Sequence, residues 1–338
     1  MKVIDYAFID EEDKKLKVKK HDGIIEFCNE LSDIQLLNLI DYTAFEVYAH
    51  DTDIPSGLLT TPHLNYIGKE GDELARAIPA SMIETFSIRS QTSQEKQDVI
   101  VDWGDGEFIE LRNVVPNNLD DGAEFRYTIS HTYKNTGTYI IKIFGRNYFG
   151  FMTSEDPSTT LLSRIFDEDL PIATWIWNMA SAAKNANTLL HVDMYSHLIT
   201  INGLSWVRAF TNCQNLISVT GFTQYNTNKS NFYKIFNGAI NLIKTDLRLS
   251  SEGGENNFIE GAFEKCSKLV GDINHLLPLG GFKSGSTINV SNLFRAAKLL
   301  SGTVPADKLW NDKSITWINT STAFEKSSAE IRAQVPVS

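Results

Sequence analysis

A motif of eight residues recurs through the second half of the chain at a nearly constant spacing. Four copies have an apolar residue, Phe, two variable residues, Cys or Ala, two variable residues and Leu; they are AFTNCQNL, IFNGAINL, AFEKCSKL and LFRAAKLL. Two weaker copies are AAKNANTL and AFEKSSAE. The residues at the Phe position lie 26 to 31 apart: Ala183, Phe210, Phe236, Phe263, Phe294 and Phe324. This regularity predicts stacked repeats, each burying its apolar face against its neighbours.

Each repeat is predicted to contain one short helix followed by one short strand. Apolar residues lie four before the Phe position in most copies, and small or apolar residues lie three and six or seven after it, which is the spacing of one helical face. Extended runs such as LISVTG and LVGDI come next. Cys213 and Cys266 occupy the small position that Ala239 and Ala297 fill in other copies. Both cysteines are therefore predicted to be core residues rather than reactive thiols or metal ligands.

The region before the repeats predicts β-structure. Apolar and polar residues alternate in ETFSIRS, DVIVDW, EFRYTISHTY and TYIIKIFG. Asp105 and Gly106 are suited to a tight turn directly after a strand. The rings of Trp103, Tyr133 and Tyr139 are predicted to fill the core of a small sandwich.

This region resembles the polycystic kidney disease (PKD) type of immunoglobulin-like domain. The resemblance rests on VDWGDG, from Val101, and on SHTYKNTGTYIIKI, which ends at Ile143; the stretch RNVVPNNLDDGAEF stands between them as an insertion. It implies a spacer or binding module of surface proteins. It also implies structural roles for Asp102, Asp105 and His131, and aspartate in a turn and histidine at a strand end need no catalytic explanation.

The repeats carry a second resemblance. AFEKCSKLVGDI and LFRAAKLLSGTVPADKLW are similar to the BspA-like leucine-rich repeats of bacterial surface proteins, which often follow a PKD-like segment. The resemblance covers residues 156–338. It implies recognition or structural display without catalysis.

The expected fold class is multidomain. We expect a small α+β attachment domain at 1–80, a PKD-like, immunoglobulin-like β-sandwich at 81–155, and an α/β leucine-rich-repeat solenoid at 156–338. Within the first unit, KKLKVKK predicts a strand with one lysine-lined face. The segment GIIEFCNELSDIQLLNLI predicts a helix, with Ile25, Cys28 and Leu31 on one face.

Composition excludes several classes of protein. The net charge of −11 at pH 7 offers little to a nucleic-acid backbone. No window of 18 uncharged apolar residues predicts a membrane span. Three scattered cysteines do not form a disulfide framework. The first residues, MKVIDYAFIDEEDKK, lack the apolar stretch of a signal peptide, so the sequence predicts synthesis in the cytoplasm without export.

No catalytic motif is found, and catalytic residues, cofactors and metal ligands are all expected to be absent. The sequence has no GxxxxGK phosphate loop, H-E-x-x-H, C-x-x-C or G-x-S-x-G. His191 and His197 are six residues apart, which is not a usual helical metal pair. The run DEDLP, from Asp167 to Pro171, is typical of a charge cluster before a helix and less so of paired glycosidase carboxylates.

Two groups of residues leave a sugar-binding alternative open. Asp193, Asp246 and Asp272 occupy roughly equivalent places in the repeat strands, where a ladder of carboxylates would bind a cation or sugar hydroxyls. Trp310 and Trp317 lie near the last repeats, where they would either stack on a sugar ring or fill the end of the solenoid. The sequence does not identify a ligand-binding residue.

Surface modules on a chain without a leader peptide are expected in a bacteriophage virion, whose proteins assemble in the host cytoplasm. The leading hypothesis is a non-enzymatic virion protein, a capsid decoration or a tail or fibre component. Its expected partners are other virion proteins, through the N-terminal domain, and a host surface glycan or protein, through the repeats; several copies or a homo-oligomer are expected. The alternatives are a bacterial cell-surface adhesin and a glycan depolymerase.

Overall fold

The computed structural model describes most of the repeat region and separate parts of the preceding chain. The described residues are 6–9, 16–20, 23–27, 42–53, 80–90, 97–114, 117–118, 125–144, 150–153, 161–166, 183–193, 205–222, 229–252, 256–305 and 309–334. The regular secondary structure of these residues consists mostly of β-strands in sheets, with few helices.

The N-terminal strands form an antiparallel three-stranded sheet. Its strands, in spatial order, are β1 Tyr6–Ile9, β2 Leu16–Lys20 and β3 Gly23–Phe27. The strand predicted from the lysine-rich run is confirmed as β2. The helix predicted from Gly23 onward is wrong over β3, because Gly23–Phe27 pairs with β2 along its full length. The rest of that predicted helix lies outside the described residues.

Two sheets form the middle region. The strands before the repeats are β4 Tyr42–Ala49, β5 Ile83–Ser90, β6 Gln97–Asp102, β7 Phe108–Val114, β8 Asn117–Asn118, β9 Phe125–Thr132, β10 Gly137–Phe144, β11 Gly150–Thr153 and β12 Leu162–Phe166. The first repeat strands are β13 His191–Asp193, β14 Ser218–Thr220 and β15 Lys244–Thr245. The smaller sheet has the order β11-β5-β9-β8, and the larger one has eight strands in the order β15-β14-β13-β12-β4-β10-β6-β7.

The core of the middle region lies between strands of both sheets. Alternate residues of β4, namely Phe45, Val47 and Ala49, are fully buried. The Phe45 ring meets Phe86 of β5 edge-on, with the centroids 5.4 Å apart. This period-2 burial joins the two sheets in the way that the alternation in the sequence predicts.

Strand β4 belongs to the middle region, although it lies within the range predicted as a separate N-terminal domain. It pairs with β10 along its whole length and with β12 on its other side. The predicted boundary at residue 80 therefore falls between β4 and β10 in the sequence, although these two strands pair with each other. Because β12 also pairs with the first repeat strand, the larger sheet continues past the predicted boundary at residue 155.

The repeat strands are short and parallel. They are β13 His191–Asp193, β14 Ser218–Thr220, β15 Lys244–Thr245, β16 Val270–Asp272, β17 Thr287–Asn289, β18 Leu299–Ser301 and β19 Thr316–Ile318. Strands β12 to β15 continue the larger sheet in parallel order, and β16 pairs with β18 and β17 with β19. The extended runs predicted after each Phe motif are β-strands in five copies.

The helix predicted in each repeat is replaced by consecutive turns in the four central copies. Residues two before and two after the Phe position have left-handed φ values between 54° and 79°: Arg208, Asn212, Lys234, Gly238, Gly261, Lys265, Asn292 and Ala296. A right-handed α-helix cannot contain such residues, so the backbone forms a ribbon of turns instead. The apolar spacing was read correctly, but it belongs to this ribbon.

Neighbouring ribbons are joined by backbone hydrogen bonds. The N–H of Phe210 donates to the carbonyl of Ile235 at 2.9 Å, and the N–H of Phe236 donates to that of Ala262 at 2.9 Å. The backbone amides that alternate with these donate within their own ribbon. The N–H of Thr211, for example, donates to the Arg208 carbonyl at 3.2 Å. Alternate amides thus donate hydrogen bonds within the turn and to the next repeat.

The phenylalanines of the motif form a continuous buried stack. Successive ring centroids are 5.7, 5.6, 5.3 and 5.1 Å apart along Phe210, Phe236, Phe263, Phe294 and Phe324. All five side chains are at most 2% exposed. Each ring fills the space between two repeats, and the stack therefore fixes the spacing of the turn ribbons.

Two short helices, α1 Thr320–Ala323 and α2 Ala329–Arg332, lie among the last described residues. The side chain of Gln334, just after α2, accepts a hydrogen bond from the Val304 N–H at 2.9 Å and donates one to the Gly302 carbonyl at 3.0 Å. It therefore pairs with the chain beyond β18 as a neighbouring strand would.

Candidate recognition surface

The outward side of the repeat strands presents one row of side chains in register. His191, Ser218 and Lys244 are paired across β13, β14 and β15. The N–H of Val270 donates to the Ile243 carbonyl at 3.1 Å, which continues the pairing to β16, and Val270 is aligned with Leu299 of β18. With about 4.8 Å between strands, the row is roughly 19 Å long. We call these five residues the outer row.

The outer row is accessible, whereas the next residue of each strand faces inward in several repeats. Val192 and Val219 are fully buried, and Leu300 is 2% exposed. In contrast, Val270 is 50% and Leu299 53% exposed. Exposed apolar side chains on neighbouring strands are typical of surfaces that contact other molecules.

The outer row changes in chemistry along its length. It begins with His191, whose Nδ1 lies 2.8 Å from the Ser218 Oγ, and continues to the exposed ammonium group of Lys244. It ends with the two apolar side chains of β16 and β18. One end can therefore form hydrogen bonds and ionic contacts, and the other can bury apolar area.

Two of the three aspartates considered as a possible ladder, Asp246 and Asp272, bind backbone amides of the protein itself. The Asp246 carboxylate accepts hydrogen bonds from the N–H groups of Gly221 and Phe222 at 2.9 and 3.0 Å. Asp272 accepts one from the Asn274 N–H at 2.9 Å and caps a 3-10 helix, Ile273–His275. The backbone of Asp193 lies in β13, and its side chain is outside the described set. The two described carboxylates thus stabilise turns.

The turn residues with possible catalytic chemistry form a structural cluster. His131 Nε2 lies 2.9 Å from Asp105 Oδ2, and the imidazole stacks on Trp103 with the centroids 4.8 Å apart. Partial burial opposes the charge of Asp105, but the hydrogen bonds from His131 and the Glu107 N–H hold the pKa of its carboxyl below the usual value. Asp102 accepts a bond from the Gly104 N–H at 2.9 Å. These contacts close the turn.

The tyrosines predicted as core rings stack on each other beside this cluster. Tyr133 and Tyr139 have centroids 4.2 Å apart, and the Tyr133 hydroxyl donates to the Trp103 carbonyl at 3.0 Å. Tyr133 is 2% exposed, and burial raises the pKa of its phenol. Tyr139 is only partly buried against the core.

The two repeat cysteines are fully buried, as their small position predicts. The Cys213 thiol donates to the Ala183 carbonyl at 2.8 Å, and the Cys266 thiol donates to the Phe236 carbonyl at 3.3 Å. Burial raises the pKa of both thiols, which opposes formation of the reactive thiolate.

Among the other residues named from the sequence, Trp317 has a described side chain. Trp317 packs on Phe282 and donates from Nε1 to the Asp312 carbonyl at 3.0 Å, so it fills space near the last repeats. Trp310 lies in a 3-10 helix, Leu309–Asn311, and its side chain is not described. His197 and Asp167–Pro171 lie outside the described residues.

An asparagine five residues before the Phe position was missed by the sequence analysis. Asn231 and Asn289 each accept, through Oδ1, the N–H of the residue two further on at 3.0 Å, which begins the turn ribbon. Asn319 donates to the Oδ1 of Asn289 at 3.0 Å and links two repeats. The recurrence of Asn at this offset was visible in the sequence.

Within the described parts of the chain, no three His, Cys, Asp or Glu residues lie close enough together to hold a metal ion. The helices among the described residues include none long and apolar enough to cross a membrane. No protein-family model, curated protein or solved structure matches this chain.

Proposed function

We propose that this protein is a non-enzymatic virion component that displays a recognition surface on its repeats. The outer row carries the proposal, because it joins a polar end and an exposed apolar end on strands held in register by the phenylalanine stack. Rigidly spaced side chains lose little conformational entropy on binding. The resemblances to PKD-like and BspA-like leucine-rich modules also support a role in display.

The virion location is part of this proposal, and a bacterial cell-surface adhesin is the alternative. Both predict a chain exposed to the medium, because both rest on surface-type modules. The first experiment is mass spectrometry of density-purified, DNA-containing particles, compared with the membrane fraction of the same culture. Enrichment in the particles supports a virion protein; enrichment in the membrane fraction would overturn that location and favour the adhesin.

Recognition by the outer row has a separate test. Binding of the fluorescently labelled full chain to intact bacterial cells is measured for the wild type and for Leu299→Asp, which places a charge in the apolar end of the row. The matched control is Leu279→Asp, because Leu279 is 80% exposed and lies outside the row. We expect Leu299→Asp alone to weaken binding. Equal binding by the wild type and both variants would contradict recognition by this row.

A further inference from the structure

A buried carboxyl group lies where the middle region joins the repeats. Glu84, in β5, is completely buried. Its Oε2 accepts a hydrogen bond from the N–H of Leu161, the residue before β12. The carbonyl of Leu161 accepts a bond from the Tyr48 N–H of β4 at 3.0 Å. Leu161 is therefore held between strands of the two different sheets.

The second oxygen of this carboxyl group, Oε1, is buried and has no hydrogen-bond partner among the described residues. An ionised carboxylate has about four lone-pair sites, and burial with one donor leaves most of its charge uncompensated. A protonated carboxyl avoids that charge and still accepts the Leu161 N–H through Oε2.

Among the described residues, burial and the Leu161 N–H are the influences that shift the pKa of Glu84. His131 is its register partner on β9, and the His131 ring already contacts Asp105. Tyr133 is near enough for the charge of Glu84 to oppose ionisation of its phenol. Asp102, Asp105 and Tyr139 also act on the Tyr133 phenol, and His131 contacts Asp105, so these are the described titratable groups around Tyr133.

We propose that Glu84 is a proton-dependent latch that closes the seam between β4 and β12 while its carboxyl is protonated and loosens it on ionisation. The repeat strands extend from this seam, because the parallel strands of the larger sheet follow directly after β12. The latch is a positioning device and does not depend on what the outer row binds.

The direction of the pH effect follows from the burial. Desolvation raises the pKa of Glu84 well above the ordinary value of 4.5, although the Leu161 N–H opposes the shift. The folded state therefore holds its proton more tightly than the unfolded state. The stabilisation is complete below the ordinary value, and it is lost as the pH rises through the raised pKa.

The test is hydrogen–deuterium exchange of the full chain across a pH series, corrected for intrinsic exchange rates. In the wild type we expect peptides covering 161–166 to lose protection above the raised pKa, by up to about tenfold per pH unit. Glu84→Gln keeps an acceptor for Leu161 without an ionisable group, and its protection should not depend on pH in this way. The matched control is Glu107→Gln on the exposed surface, which should behave as the wild type.

Two results would overturn the latch. One is unchanged protection of 161–166 across the pH series in the wild type, and the other is the wild-type pH dependence persisting in Glu84→Gln. If Glu84→Gln does not fold, the infrared spectrum of the wild type decides. A protonated carboxylic acid band that persists above the pH at which ordinary glutamates ionise supports the latch, and its absence there contradicts it.

Discussion

The middle region and the repeats satisfy their backbone hydrogen-bonding groups in different ways. Strands β4, β5, β9 and β10 are each eight residues long and pair through extended ladders, whereas the repeat strands have two or three residues. The repeats compensate with turn ribbons whose alternate amides bond to the next copy. The middle region thus depends on a few long pairings, and the repeats depend on many equivalent short ones.

The two cores differ in the same way. In the middle region, each ring has its own geometry: Phe86 meets Phe45 edge-on and Trp103 at a tilt. In the repeats, one residue type occupies one position and stacks along the chain. A change in the repeats should therefore act mainly on neighbouring copies, while a change in the middle region should act on the whole sandwich.

The largest expected effect comes from removing a ring inside the stack. Phe263→Ala leaves a cavity between Phe236 and Phe294, and we expect a loss of about 3–5 kcal/mol in the free energy of unfolding. The control is Phe108→Ala, because Phe108 is 60% exposed. Denaturant unfolding measures both. Similar losses for the two variants would show that the stack does not carry the stability of the repeats.

A glycine in the middle region provides the next comparison. Gly104 has φ +84°, and a Cβ added there would lie 2.6 Å from the Ile140 carbonyl oxygen of β10. We expect Gly104→Ala to lower the free energy of unfolding by about 3 kcal/mol, from overpacking combined with left-handed strain.

Gly106 is the matched control for that substitution. Its φ is +95°, and a Cβ there would meet no atom within 4 Å. Gly106→Ala should lower the free energy of unfolding by about 1 kcal/mol, from the backbone strain alone. Thermal unfolding of the two variants separates the close approach from the strain; equal effects would contradict the contact with Ile140.

Replacing a repeat cysteine should have a smaller effect. Cys266→Ala removes a buried sulfur and its bond to the Phe236 carbonyl, and we expect a loss of about 1–2 kcal/mol. Ala239 and Ala297 show that this position accepts alanine in other copies. Chemical denaturation measures the loss. A loss as large as that of Phe263→Ala would contradict the equivalence of the repeats.

The smallest effect is expected on the outside of the ribbons. Arg295 lies 3.2 Å from Glu264 and 2.8 Å from Glu325; the Arg295 and Glu325 side chains are partly accessible, whereas Glu264 is buried. Arg295→Ala should lower the free energy of unfolding by about 0.5–1 kcal/mol, and added salt should reduce the difference because it screens the charges. A difference that does not change with salt would indicate that packing of the arginine stem dominates.

Much of the repeat architecture could be predicted from the local sequence and its periodicity. The positions of the stacked phenylalanines, the buried cysteines and the strands after each motif follow from periodicity, because each repeat contacts the next in the same way. The helix prediction was wrong in the four central copies because one apolar spacing suits both a helix and a turn ribbon. Asn212 and Gly238 tolerate left-handed φ, but Arg208 and Lys234 give no such signal.

The sequence by itself determined the repeat spacing, the closing turn of VDWGDG and the alternation that buries Phe86 and Ile88. These are local or periodic patterns, and elementary sterics and hydrophobic burial are enough to specify them. Only the tertiary structure decided that β4 pairs with both β10 and β12, and that Glu84 is enclosed beside Leu161. Such pairings join residues more than 70 positions apart, and their free energy depends on the assembled sheets rather than on any local pattern.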